Sequence, residues 1–144
     1  MLWMKFWKQN KKKIELRVFF PIDNPSKYMI IEPKGFNQAD LKAIFDNTDV
    51  LVVPSIWYET FGFTVIEALS YGVPVIVSNH VGAKDLVGEN GIIFEAGNVC
   101  ALKTILLSMD EKKLYCLNKK QKNESKIKTW NEFVSENDNI YKSL

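Results

Sequence analysis

Residues 49–78 read DVLVVPSIWYETFGFTVIEALSYGVPVIVS, with two apolar runs on either side of a helical pattern. The runs 49–54 and 73–78 lack polar alternation, which is typical of strands that are buried on both faces. Between them, residues 62–71 predict a helix that ends at Gly72, because glycine is favoured directly after a helix. A strand, a helix and a second strand in this order predict parallel strands of an α/β sheet.

The same alternation of strands and helices continues on both sides of this unit. Apolar runs bounded by turn residues predict further strands at 14–20, 28–32 and 91–94. Helical spacing predicts helices at 3–12, 38–47, 83–87 and 99–109, the second and fourth capped by Asn37 and Asn98. The resulting fold class is α/β, a Rossmann-like three-layer α/β/α domain with a mainly parallel sheet.

Length and composition indicate one folded domain. The chain has 144 residues, of which 47% are apolar and 12% aromatic, so it can bury a core and differs from a disordered segment. We place the core of the domain at about 14–110 and a C-terminal helical extension at about 111–144. The net charge of +2 is too small to indicate a nucleic-acid partner.

Three features of the sequence indicate the cellular compartment of the protein: the lysine runs, the cysteines and the N-terminus. Runs at 11–13 and 119–128 are typical of solvated helix faces, and contact with an anionic membrane surface is the minority interpretation. Cys100 and Cys116 lack metal-site spacing and predict buried free thiols in a reducing compartment. Residues 1–13 do not resemble a signal peptide, and no apolar run would span a bilayer. We therefore expect a cytoplasmic protein, with peripheral contact to the inner face of the membrane as an alternative.

Two glutamates mark the candidate ligand site. Glu59 follows a predicted strand, and ligands of parallel sheets bind beyond the carboxyl ends of the strands. The turn at Phe61 and Gly62 exposes backbone N–H groups at a helix start, which suits a diphosphate. Glu67 lies about 9 Å further along the helix and can accept hydrogen bonds from a ribose diol. On spacing alone, a loop glutamate and a helix-surface glutamate without any ligand is the commoner arrangement.

The same residues resemble the signature of retaining glycosyltransferase family four, also called glycosyltransferase group one. The resemblance covers about residues 28–98. The matching positions are Pro54, Ser55, Glu59, Phe61, Gly62, Glu67, Ala68, Gly72, Pro74, Val75, Ser78, Gly82, Asn90 and Gly91. It implies the C-terminal half of a GT-B enzyme, which transfers a hexosyl group from a UDP- or GDP-hexose to a hydroxyl with retained configuration. It also implies that neither a metal nor a cofactor is needed.

The resemblance implies a role for each matching site residue. Glu59 would be the catalytic residue that contacts the donor hexose. The donor would also be held by Phe61, Gly62 and Thr64, with the ribose at Glu67. Further candidates are Ser55, His80, Gly82 and Lys84.

Several side chains near this site allow two interpretations. His80 lies near the ligand edge, but a lone imidazole without a carboxylate partner is more typical of a loop residue. Lys84 either approaches a phosphate or is an exposed lysine at a helix start, and the second interpretation is the commoner one. Trp57 and Tyr58 either stack on a base or sugar or anchor their loop in the core.

The sequence departs from the family in two places. Residues 83–85 stand where the family usually has a second glycine and a glutamate. The family's donor domain also opens with a strand and a glycine-rich turn that bears an arginine and a lysine. Nothing here matches that turn, and Arg17 falls inside a predicted strand. We therefore expect a domain that lacks its first strand and has little activity without an acceptor domain or partner chain.

Three other interpretations stay open. The first is a non-catalytic module that binds a nucleotide sugar and acts through a partner chain. The second is a truncated remnant that folds without binding a ligand. The third is an interaction protein, in which Trp3, Phe6 and Trp7 form an apolar surface for another chain. No residue selects a particular sugar, nucleotide or acceptor.

Overall fold

The computed structural model describes residues 2–6, 14–19, 21, 23–27, 29–32, 34–121 and 130–143. Its strands are β1 (Leu2–Phe6), β2 (Ile14–Val18), β3 (Met29–Ile31), β4 (Val50–Val53), β5 (Val75–Ser78) and β6 (Gly91–Phe94). Its α-helices are α1 (Leu41–Asp46), α2 (Phe63–Ser70), α3 (Val99–Ser108), α4 (Glu111–Gln121) and α5 (Trp130–Ser143). Short 3-10 helices cover Gln38–Asp40, Gly82–Leu86 and Gly88–Asn90.

The strands form one sheet in the order β3-β2-β1-β4-β5-β6. β2 is parallel to β3, and β4, β5 and β6 are parallel to one another. β1 is antiparallel to both of its neighbours, β2 and β4. The other five strands therefore point in one direction, and their carboxyl ends share one edge of the sheet. This is the mainly parallel sheet that the sequence predicts, in the strand order of Rossmann folds.

The predicted helix at 3–12 is wrong where the structure describes it, because Leu2–Phe6 form strand β1. Residue pairs Met4↔Leu16 and Met4↔Val50 place β1 between β2 and β4. There its backbone satisfies the N–H and C=O groups of both neighbours, and this requirement overrides a local helical pattern. β1 thus occupies the position of the strand expected to be missing, but it runs in the opposite direction. The proposed docking surface of Trp3, Phe6 and Trp7 lies outside the described side chains.

Helices cover both faces of the sheet. One face carries α1, α2 and the 3-10 helix Gly82–Leu86, packed on Leu51, Val53, Val75 and Val77. The other face carries α3 and α4, packed on Val50, Val52 and Ile76. All residues of β4 and β5 are buried, which explains why both strands are continuous apolar runs. The predicted three-layer architecture is confirmed.

Asparagine caps fix two of the helix starts. The Asn37 side chain accepts from the N–H of Ala39, and the Asp40 carboxylate accepts from the N–H of Asn37, both at 3.0 Å. The Asn98 side chain accepts from the N–H of Ala101 at 2.9 Å. Each cap satisfies amide groups that a helix start leaves without a partner, so the predicted caps are confirmed.

The prediction of buried cysteines is wrong, since Cys100 and Cys116 are both exposed and free. α3 turns Leu102 and Ile105 toward the sheet, and α4 turns Leu114, which leaves the cysteines on outer faces. In the described part of the chain, no helix has both the length and the apolar character to cross a membrane.

Candidate functional site

The candidate site lies where β4 and β5 end. The loop after β4 and the loop after β5 run side by side, joined by a parallel bridge between Glu59 and Val81. The N–H of Glu59 donates to the carbonyl of His80 at 3.0 Å. The β4–β5 ladder thus continues beyond the strands and fixes the Glu59 backbone at the ligand edge of the sheet.

The Glu59 carboxylate is half-buried and held on one side. The Ser55 hydroxyl donates to its Oε1 atom. Its Oε2 atom faces the start of α2, since a Cβ built on Gly62 would lie 3.7 Å from that oxygen. The structure therefore brings Ser55, Glu59 and Gly62 together. This agrees with their sequence positions in one loop and at the helix start that follows it.

α2 begins without a side-chain cap. Gly62 is its N-cap, with φ +86° in the left-handed region that favours glycine. A Cβ at Gly62 would also lie 2.9 Å from the Val81 side chain, so both the backbone and the packing require glycine there. Because glycine supplies no side-chain acceptor, the amides of Phe63 and Thr64 at the helix start are left for a ligand or water. A helix start of this kind attracts an anion.

Glu67 lies in the second turn of α2, half-buried, beside the core residues Val65, Ala68 and Leu69. Burial raises the pKa of its carboxyl above the ordinary value. The carboxylate is thus a partly desolvated hydrogen-bond acceptor.

Gly82 has a packing role at the same edge. A Cβ built on it would lie 2.4 Å from the carbonyl oxygen of Thr60, far inside van der Waals contact. Glycine therefore lets the 3-10 helix Gly82–Leu86 pack directly on the loop after β4. The half-buried Lys84 donates from Nζ to the carbonyl of Asn79 at 2.8 Å, which keeps its ammonium group at the end of β5.

His80 and Tyr58 form a stacked pair. The His80 Nδ1 atom lies 3.0 Å from the carbonyl oxygen of Ile56, so Nδ1 carries the proton in the neutral ring and Nε2 is an acceptor. The imidazole stacks on Tyr58 with ring centroids 3.9 Å apart and planes 23° apart. Trp57 is 78% exposed and Tyr58 is 82% exposed, so the interpretation that they anchor the loop in the core is wrong.

Two residues at this edge were not assigned a role from the sequence. Ser78 is fully buried, and its hydroxyl donates to the carbonyl of Ser55 at 2.6 Å. Asn79 connects the edge to β6, because its side chain accepts from the N–H of Ala96 at 2.9 Å. The sequence does hold a signal for Ser78, because it is the one hydroxyl residue of an otherwise apolar strand and stands at the carboxyl end of that strand. Asn79 gave no such signal, since loops commonly contain asparagine.

Charges expected at a diphosphate site are sparse. Arg17 pairs with Glu15 on its own strand β2, with its Nε 2.9 Å from the carboxylate. No group of three or more metal-binding side chains occurs among the described residues. Whether the site works without a metal stays a prediction from the resemblance.

These features define an α/β domain whose ligand edge presents two carboxylates and an uncapped helix start. The profile of the family described as "Glycosyl transferases group 1" matches residues 30–128. The match extends over more than half of the chain, so this chain belongs to the glycosyl transferases group 1 family. The family predicted from about residues 28–98 is thereby confirmed.

Curated relatives are similar over most of this chain. An uncharacterized glycosyltransferase of Methanocaldococcus jannaschii is 32% identical over 114 residues, which is 75% of this chain and 29% of that protein. The O-antigen chain mannosyltransferase B of Escherichia coli is 29% identical over 107 residues, which is 73% of this chain and 28% of that protein. The chain therefore spans less than a third of the length of these relatives.

A solved structure is similar in fold. The catalytic domain of starch synthase IV from Arabidopsis thaliana, bound to ADP and acarbose, superposes with a TM-score of 0.59 at 22% identity. The superposition covers 80% of this chain and 26% of that one. It confirms the predicted fold class, an α/β domain that is part of a GT-B architecture.

Proposed function

We propose that this chain is the donor-binding part of a glycosyltransferase that acts in glycan synthesis. The reaction is transfer of a hexosyl group from a nucleoside diphosphate sugar to a hydroxyl, with retained configuration. Family membership and the E. coli mannosyltransferase relative support the class of reaction. The observation that carries the proposal for this chain is the placement of two half-buried carboxylates around an uncapped helix start, with Glu59 facing Gly62 and Glu67 in the second turn of α2.

The start of α2 is the proposed diphosphate site. The helix dipole and the uncapped amides of Phe63 and Thr64, next to Phe61 and Gly62, favour a negative group there. Lys84 would supply a positive charge from the end of β5, where its ammonium group is held at the Asn79 carbonyl. Oriented donors of this kind stabilise the charge that develops on a departing diphosphate. No metal or cofactor enters the proposal.

Glu67 is the proposed ribose site. Two vicinal hydroxyls would donate to its two carboxylate oxygens. They would restore hydrogen bonds that the carboxylate loses when burial removes part of its water. Hydrogen bonds to a charged group contribute about 1.5–3 kcal/mol each. The starch synthase IV domain with the similar fold is bound to ADP, which supports a nucleotide as the ligand of this fold.

Glu59 is the proposed contact to the donor hexose. Its Oε1 atom already accepts from the Ser55 hydroxyl, so the Oε2 atom, which faces Gly62, is the one to accept from a sugar hydroxyl. Hexose, diphosphate and ribose would then follow α2 in order. The acceptor and its base would come from an acceptor domain or a partner chain, so we expect little activity from this chain alone. The cytoplasmic location, with contact to the membrane as an alternative, stays a prediction.

The direct test is an NMR titration of the full chain with UDP, UDP-glucose, GDP and GDP-mannose. We expect saturable shifts of the amides from Phe61 to Glu67, and the tighter nucleotide identifies the base. Glu67→Gln should weaken nucleotide binding about tenfold, because the amide presents one acceptor instead of two and no charge. Glu111→Gln, an exposed carboxylate on α4, is the matched control. A folded sample without shifts at millimolar ligand would refute the proposal.

A second candidate function is a binding module without catalysis. It is favoured by the direction of β1, whose carboxyl end lies at the edge of the sheet away from Glu59. The family's glycine-rich turn follows its first strand, whereas β1 presents its amino end at the edge of the sheet that carries Glu59. Release of sugar from a radiolabelled donor separates the two functions. Binding without hydrolysis or transfer, also after addition of an acceptor half from a relative, would favour the module.

A further inference from the structure

Ser78 places a buried hydroxyl at the end of an apolar strand. It ends β5 after Val75, Ile76 and Val77, and all four residues are 0% exposed. A buried hydroxyl without a partner would destabilise the fold, so its hydrogen bonds are needed. Because water does not compete at this position, those hydrogen bonds also hold their partners firmly.

The Ser78 hydroxyl joins the two loops of the ligand edge. It donates to the carbonyl of Ser55, in the loop after β4, at 2.6 Å. It accepts from the N–H of His80, in the loop after β5, at the longer distance of 3.4 Å. One side chain therefore sets the spacing of both loops.

Both partners of Ser78 hold Glu59. The Ser55 hydroxyl donates to the Glu59 carboxylate, and the His80 carbonyl accepts from the Glu59 N–H at 3.0 Å. The hydrogen bonds thus close a ring from Ser78 through Ser55 and Glu59 to His80 and back. Ser55 thus holds the side chain of Glu59 and His80 holds its backbone, and both residues are hydrogen-bonded to the Ser78 hydroxyl.

We propose that Ser78 is a positioning residue that fixes the Glu59 carboxylate for the donor hexose. The inference rests on the proposed function, in which Glu59 contacts the sugar and Glu67 the ribose. A long carboxylate side chain loses rotamer freedom on binding, and a supporting shell that fixes it beforehand lowers this cost. Ser78 should therefore determine how much the sugar adds to the affinity, while the affinity for the bare nucleotide depends on other residues.

The test compares dissociation constants for UDP and UDP-glucose, or for GDP and GDP-mannose if those bind. In Ser78→Ala, the gain in affinity from the sugar should fall about fivefold to tenfold, with nucleotide affinity unchanged within about twofold. Ser78→Thr keeps the hydroxyl and should keep the gain. Ser108→Ala removes an exposed hydroxyl bonded to the Ile105 carbonyl on α3, on the other face of the sheet, and is the control. An equal loss for nucleotide and nucleotide sugar would overturn the proposal.

A second measurement needs no ligand. The side-chain carboxyl carbon of Glu59 and its Hβ couplings report the rotamer by NMR in the free protein. We expect one rotamer in the wild type and in Ser78→Thr, and averaged couplings in Ser78→Ala and Ser55→Ala. Unchanged Glu59 signals in Ser78→Ala would overturn the positioning role whether or not nucleotides bind. If the wild type binds no nucleotide but Ser78→Ala averages the Glu59 couplings, the proposed function fails and the positioning of Glu59 by Ser78 stands.

Discussion

Gly82 touches the backbone of Thr60 so closely that a Cβ at Gly82 would lie 2.4 Å from the Thr60 carbonyl oxygen. The contact holds the loop after β4 at the residue that directly follows Glu59. The glycine is required here by space and not by its backbone angles, since its φ is not in the left-handed region.

Gly82→Ala should displace the loop at Thr60 and lower the free energy of unfolding by about 1–3 kcal/mol. It should also reduce the affinity that a donor sugar adds, because Glu59 moves with the loop. Gly72→Ala is the control: φ is +81° there but no atom lies within 4 Å, so it tests backbone strain alone. Urea unfolding with both variants checks this. A Gly82→Ala protein with wild-type stability would contradict the contact.

Glu67 should make nucleotide binding pH-dependent. Burial raises its pKa, so the carboxyl takes up a proton at a higher pH than an ordinary glutamate does. Since the ionised form accepts the ribose hydroxyls, affinity should fall as the pH drops through this raised pKa. Titrations of nucleotide at several pH values, with wild type and Glu67→Gln, provide the measurement. The same pH dependence in the variant would show that another group is responsible.

The same shift predicts the effect of Glu67 on stability. A folded-state pKa above the unfolded value contributes stability that is fully present below the unfolded pKa and is lost as pH rises through the folded pKa. At neutral pH, Glu67→Gln should therefore be at least as stable as the wild type. That advantage should disappear below about pH 4. Urea midpoints of the wild type and of Glu67→Gln, at neutral pH and below about pH 4, test this. A stability advantage of the variant that grows in acid would contradict a raised pKa of Glu67.

The exposed apolar side chains of the loop after β4 and of the first residue of α2 should contribute little to stability; they are Ile56, Trp57, Tyr58, Phe61 and Phe63. Trp57→Ser is expected to change the free energy of unfolding by less than about 0.5 kcal/mol. Leu51→Ala, in the fully buried β4, should cost about 2–5 kcal/mol and is the matched contrast. Thermal or urea unfolding distinguishes the two. A large loss in Trp57→Ser would restore the core-anchoring role that the structure excludes.

The position of β1 can be tested with proline. Met4 pairs with residues of both β2 and β4, so Met4→Pro removes a hydrogen-bond donor from the middle of the sheet. We expect a loss of about 3 kcal/mol or more, or failure to fold. Met4→Thr keeps the N–H and suits a strand, and it should fold. Circular dichroism and urea unfolding measure both, and a stable proline variant would place the segment outside the sheet.

The sequence predicted the elements whose signals are local. β4 and β5 are continuous apolar runs because both faces of each strand are covered, and α2 lies between turn signals at Gly62 and Gly72. β1 was missed because its partners β2 and β4 are remote along the chain, while its apolar spacing also suits a helix. Cys100 was misplaced because helical spacing alone does not show which face of α3 meets the sheet.

The candidate site was predicted in part. Glu59 and Gly62 are close along the chain, and the structure places them together at the ligand edge. The contacts of Ser78 and Gly82 could not be predicted, because they depend on how two loops from different strands meet.

The direction of β1 has a practical consequence for work with this protein. Leu2 pairs with Val52, two residues before Pro54, so the amino end of β1 lies at the same edge as Glu59. A purification tag or fluorescent fusion joined directly ahead of Leu2 would start at this edge and compete with the donor for space. A tag after α5 avoids that strand, so fusions for nucleotide titrations belong at the carboxyl terminus.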